Sequence, residues 1–171
     1  MKFYVPILVA AAVVVPAVAG AQNVTDPQIA AIVVAANQTD VNAGKLAAAK
    51  AANAEVKAFG KQMVAAHTSV NKQAVDLVRK LSVTPESNPT SESIKEGGEK
   101  NVTHLETLKG AEFDKAYIDN EVAYHQQVLD AMDKILIPGA QNAELKALLV
   151  QVRPAFVAHL EHARHLQSTM K

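Results

Sequence analysis

The chain has 171 residues, with 17 Lys+Arg against 17 Asp+Glu and no formal net charge. This balance excludes a generally basic nucleic-acid binder and an acidic disordered tail, and the absence of cysteine excludes disulfides, thiolate metal sites, iron–sulfur clusters and cysteine nucleophiles. Hydrophobic residues make up 49%, aromatics only 4%, and alanine is the commonest residue, which points to one domain of helices with small core side chains.

Residues 1–21 read as an export signal. Lys2 gives a short positive start, an apolar stretch runs from Ile7 to Val15, and small residues follow at Ala17, Ala19 and Ala21. This order is that of a cleavable secretory signal, with the cut expected after Ala21 and Ala19 as second choice. A retained transmembrane anchor is the alternative, since Phe3 to Val24 is uncharged and about long enough. Pro16 and the small-residue triplets favour cleavage. The mature chain, 22–171, has no later segment apolar enough to span a bilayer, and is expected in a periplasmic or extracellular space.

Thr25-Asp26-Pro27 predicts a helix start, a capping side chain followed by proline in the first turn. From there Ile29, Val33, Ala36, Asp40, Ala43 and Ala47 form one stripe, running to about Ala52. A second helix is predicted from Ala54 to Leu81, with Val56, Phe59, Met63, His67, Val70, Ala74 and Leu77 in register. Over 82–110 the residues Pro85, Pro89 and Gly97-Gly98 predict only a short or broken helix, the crossover between two helical hairpins. A third long helix is expected from Ala111 through Ile118, Val122, His125, Leu129 and Met132, with Pro138-Gly139 as its terminating turn. The last starts near Asn142 and carries Leu145, Leu149, Val152, Phe156, His159, Ala163 and Leu166. Pro154 inside it should kink or divide it. The pattern as a whole predicts an all-α, antiparallel four-helix bundle.

Four polar residues interrupt the apolar stripes, one per helix: Asp40, His67, His125 and His159. An unpaired polar group in a core costs about 1–3 kcal/mol, so each of these demands a partner. At about 1.5 Å per residue, Asp40 lies about 18 Å before the first turn and His67 about 20 Å after it, nearly level. His125 lies about 17 Å before the second turn and His159 about 26 Å after, one to two turns apart. Glu121 is closer to the level of His159 and is placed to bridge, with Tyr117 one turn further along the same face. Imidazoles with one or two carboxylates suit a divalent transition metal such as zinc, copper, nickel or iron. Two other readings stay open: histidines satisfied by neighbouring core groups, and a pH-responsive cluster. The di-iron pattern Glu-x-x-His is absent from the chain. His159, His162 and His165 at steps of three read mainly as a solvated helix edge, with a surface metal clamp as the alternative. His104 has no evident partner. Met63 and Met132 read as core filler, and Asp114, Asp119, Asp130 and Asp133 as a solvated face.

Asp40-Val41-x-x-Gly44-Lys45-Leu46-Ala47, Val56-Lys57-x-Phe59, Met63-Val64-x-x-His67, Phe113-Asp114-x-Ala116-Tyr117, Val122-x-x-His125 and His159-Leu160 occur in this order. The set resembles the bacterial domain-of-unknown-function family 4142 over about residues 26–167. The resemblance implies export and a ferritin-like helical bundle, with no activity attached. Relatives usually carry an acidic residue directly before the first two motif histidines, where this chain has Ala66 and Tyr124. The expectation is an exported bundle with a histidine-lined core, acting as a metal- or ligand-binding envelope accessory protein without a recognisable catalytic motif. The alternative is a structural bundle that binds an envelope protein and whose core histidines only satisfy packing.

Overall fold

Residues 24–170 are described in a computed structural model of the chain, and the expected signal segment 1–21 lies outside them. The described residues are helical with short connections. Helix α1 spans Asp26–Lys50, α2 Ala54–Lys80, α3 Pro89–Thr107, α4 Gly110–Ala131 and α5 Ala143–Thr169. None of them is long and apolar enough to cross a membrane.

The starts of these helices follow from their capping residues. The Thr25 side chain accepts from the Gln28 amide, and Gln28 returns a bond to the Thr25 amide. Asn53, Asn88 and Asn142 cap α2, α3 and α5 in the same manner, each accepting from two amides of the first turn. Two carboxylates then clasp the turns between helices. Asp26 accepts from the Gln141 and Asn142 amides at 2.9 and 2.8 Å. Asp114 accepts from the Ala52 and Asn53 amides at 3.0 and 2.7 Å. Asp114 is therefore buried, contrary to its reading as part of a solvated face. Asp119, Asp130 and Asp133 do lie at the surface, paired with Lys115, Lys134 and Arg153.

Three local expectations change. Segment 82–110 holds one continuous 19-residue helix, not a broken one. Pro89 opens it, where its missing N–H costs nothing. Gly98 lies inside it because α3 crosses close to α1: a Cβ there would sit 2.5 Å from Thr39 Cγ2. Second, α4 does not stop before Pro138. It widens into a π-helical stretch over Met132–Leu136 and continues helically through Ile137–Gly139. The wider turn gives the proline ring room that an α-turn would deny it. Third, α5 is not divided at Pro154, which is exposed, with the half-exposed Val150 one turn earlier.

Helix α2 runs back along α1, and α5 along α4, while α3 packs mainly on α1. Gly44 and Gly60 allow the close approach of α1 and α2, since a Cβ on Gly60 would meet the Ala47 Cβ at 2.8 Å and the Gly44 carbonyl at 2.9 Å. The apolar interior falls into two clusters. One gathers Ile29, Val33, Val70, Leu129, Leu149 and Phe156. The other gathers Ala47, Phe59, Met63, Phe113, Ile118 and Ala163. Met63 and Met132 are core filler, as expected. Along α1, α2 and α4 the polar interruption lies between the buried residues of one cluster and those of the other, while on α5 His159 lies between Phe156 and Leu160 of the first, with Ala163 and Leu166 of the second beyond.

Candidate functional site

Asp40 on α1, His67 on α2, Glu121 and His125 on α4, and His159 on α5 are all buried, none more than 5% exposed. Their side chains converge. The three imidazole centroids stand 5.2–5.6 Å apart. One nitrogen from each of His67, His125 and His159 lies within 4.8 Å of the other two, and the same holds for ligand atoms of Asp40, Glu121 and His125.

The level match of Asp40 and His67 comes out as the helical rise predicts, with His67 Nε2 3.0 Å from Asp40 Oδ2. The expected offset between His125 and His159 does not occur. Because α4 continues to Gly139, His125 lies about 21 Å before the turn and His159 about 24 Å after it, a difference of about 3 Å. Glu121 is brought together with Asp40 and His125. Its Oε2 turns to His125 Nδ1 at 3.4 Å.

The ring orientations are held from behind. Asn37 Nδ2 donates to the Val33 carbonyl at 2.8 Å, so its Oδ1 faces His67 Nδ1, also at 2.8 Å, and accepts from it. His125 Nδ1 faces the Glu121 backbone carbonyl at 3.1 Å, which can only accept. Both Nδ1 atoms therefore carry the hydrogen. In the neutral rings the Nε2 lone pairs then point inward, where Asp40 Oδ2 stands 3.0 Å from one and 3.4 Å from the other. Lone pairs opposed to a carboxylate oxygen repel unless a cation or a proton lies between them. Asp40 Oδ1 and Oδ2, His67 Nε2, His125 Nε2, Glu121 Oε2, His159 Nδ1 and the Tyr117 hydroxyl are all buried without a hydrogen-bond partner. At about 1–3 kcal/mol for each unsatisfied group, such a cluster is far too costly to be incidental.

The electrostatics agree with this placement. Burial pushes the Glu121 carboxyl up to about 7, reinforced by the negative charge of Asp40 and opposed by His125 and Tyr117. Burial works against ionisation of Asp40 too, but the close His67 imidazole, with His125 and His159 beside it, outweighs it and lowers its pKa. Burial disfavours the charged form of His125, yet Glu121 and Asp40 together raise its pKa. His159 is depressed to about 4, first by burial and then by its histidine neighbours, so its ring is neutral near pH 7. Neutral imidazole is the ligand form.

Phe156 closes one side, edge-on to His67 with centroids 5.0 Å apart and tilted on His125 at 5.9 Å. Tyr124 closes another, its ring edge-on to His125 and its hydroxyl donating to the Ala36 carbonyl at 2.8 Å. The remaining histidines stay apart. His162 Nδ1 sits 3.2 Å from Gln62 Oε1, with its ring on the edge of Phe59, while His104 and His165 are exposed. The surface clamp of His159, His162 and His165 therefore does not form: His159 is buried in the core, His162 turns to Gln62 and Phe59, and His165 is exposed. Asn37 is the site residue that the stripe reading passed over. It lies four residues after Val33 and three before Asp40, the spacing that shares their helix face, and that spacing was the signal available.

Neither a curated protein nor a solved structure matches the chain. Residues 12–166 match the family model described as "Domain of unknown function (DUF4142)", and the chain belongs to that family.

Proposed function

We propose that this chain is an exported, ferritin-like four-helix bundle of α1, α2, α4 and α5, with α3 as the crossover. In this reading it is an accessory protein of the cell envelope that holds one divalent transition-metal ion between two apolar layers. His67, His125 and His159 are the nitrogen ligands and Asp40 the oxygen ligand. Asn37 and Glu121 fix the rings of His67 and His125, as hydrogen-bonded neighbours of metal ligands do. The carrying observation is the pair of Nε2 atoms on Asp40 Oδ2, with both Nδ1 hydrogens already committed elsewhere. Three nitrogens and one oxygen suit zinc, copper, nickel or iron.

The test is thermal unfolding in metal-free buffer with each of these ions added. A bound ion raises the melting temperature saturably, and His67→Ala abolishes the gain. A second reading has a specific observation behind it. The 3.0 Å contact of His67 with Asp40 is also that of an imidazolium–carboxylate pair, with a proton in the ion's place. No shift with any of the four ions would overturn the metal reading and favour this structural one. Export is tested by the N-terminus of the natively produced protein, expected at Gln22.

A further inference from the structure

The ligands are sealed, so an ion needs a way in. The two sides differ in chemistry. Phe156 presents hydrocarbon to the rings of His67 and His125. On the opposite flank a cavity of about 230 Å³ lies under α3, lined by Thr39, Ser93, Asn101, Asn120, Tyr124 and Gln127 among others. These side chains supply neutral oxygens and amides that can replace part of a cation's hydration shell, beside Ile94, Gly97 and Gly98. Tyr124 reaches both, lining the cavity while its ring stands edge-on to His125, and Thr39 adjoins Asp40 in the chain.

Helix α3, which covers this cavity, is the most weakly held of the five. Only three of its 19 residues are buried, Ser91, Gly98 and Leu105, and only Leu105 has a large apolar side chain. Helix α1 buries twelve and α2 eight. A second hollow of about 850 Å³, floored by Ala31, Val34 and Ala35, opens along the contact between α3 and α1. Between the two hollows the close contact is the one of Gly98 on Thr39. The connection before α3 includes Ser82 in the left-handed region, and after α3 the first residue of α4, Gly110, lies there too. Elements with few buried apolar contacts open locally at the lowest free energy.

We infer that α3 is a strap whose transient release from α1 admits and discharges the ion through this cavity, with Tyr124 as the inner gate. The ion's identity as the cargo rests on the metal reading above; the looseness of α3 does not.

The chain's lack of cysteine makes a direct test possible. A Cβ on Gly98 lies 3.1 Å from the Thr39 Cβ, close to the roughly 3.5–4.5 Å of a disulfide. The double variant Thr39→Cys/Gly98→Cys is loaded with zinc and stripped with a chelator, oxidised and then reduced. Oxidation is expected to slow both rates by about tenfold or more while leaving the zinc stoichiometry unchanged, and reductant restores them. Tyr124→Phe, lacking the hydroxyl that holds Ala36, is expected to speed both. Hydrogen exchange on the zinc-free parent chain reads the strap without any metal: amides of α3 exchange faster than those of α2. Equal rates for the oxidised and reduced double variant overturn the route. Amides of α3 as protected as those of α2 overturn the strap, even if zinc binding itself has failed and taken the metal reading with it.

Discussion

Replacing Glu121 by Gln in chelator-treated protein isolates the cost of the buried carboxyl whose pKa desolvation and the charge of Asp40 push up. Its pKa stands at about 7 in the fold, against an ordinary value of 4.5. Between these limits the native protein keeps a proton that the unfolded chain has released. Stability from this group is therefore fully present below the unfolded value and is lost as the pH rises through about 7. The loss is about 1.4 kcal/mol per pH unit over that window, on the order of 3 kcal/mol in all. Glutamine has the same shape, is neutral throughout, and can still accept from His125 Nδ1. The variant should match the parent within about 1 kcal/mol near pH 5 and exceed it by about 2–3 kcal/mol near pH 8. Titration of His159, depressed to about 4, is common to both proteins and drops out of the difference. Urea unfolding followed by far-UV circular dichroism across this range supplies the numbers. A difference between the two proteins that stays constant with pH would refute the reasoning, because Glu121 would then be titrating as a solvated carboxyl.

Four further substitutions test the supporting structure. Asn37→Ala removes the acceptor of His67 Nδ1 and should cost about 1–3 kcal/mol of stability; it should also weaken zinc binding by about 10–100-fold, and unchanged affinity in a zinc titration would remove Asn37 from the site. Gly97→Ala and Gly98→Ala should move melting temperature in opposite directions. Nothing lies within 4 Å of a Cβ on Gly97, so alanine there gains about 0.5–1 kcal/mol of helix preference. At Gly98 the same change drives into Thr39 and should destabilise by about 1–3 kcal/mol. Asp114→Ala leaves the Ala52 and Asn53 amides unpaired and should lower stability by about 1–3 kcal/mol, measured by the same urea titration.

Much of this protein was legible before its coordinates. The apolar spacing of three and four, with Thr25 and Asn142 at element starts, marked the long helices, since helical periodicity and capping are local properties of the chain. The same stripes singled out Asp40, His67, His125 and His159, because a polar residue on a buried face stands out against its neighbours. Packing decided what lay beyond local reach. Gly97-Gly98 signals a break by propensity, yet α3 passes through it, because contact with Thr39 requires a residue without a side chain. Pro138 signals a stop, yet the π-helical stretch before it lets α4 continue, and that extension brings His125 level with His159. Asn37 and Asp114 look like ordinary surface polar residues until a second helix, α2 or its preceding turn, presents the group each one binds. Ring orientation belongs to the same class. Which imidazole nitrogen faces inward depends on acceptors supplied by residues 30 positions away in one case and four in the other; only the folded chain brings the distant one into place.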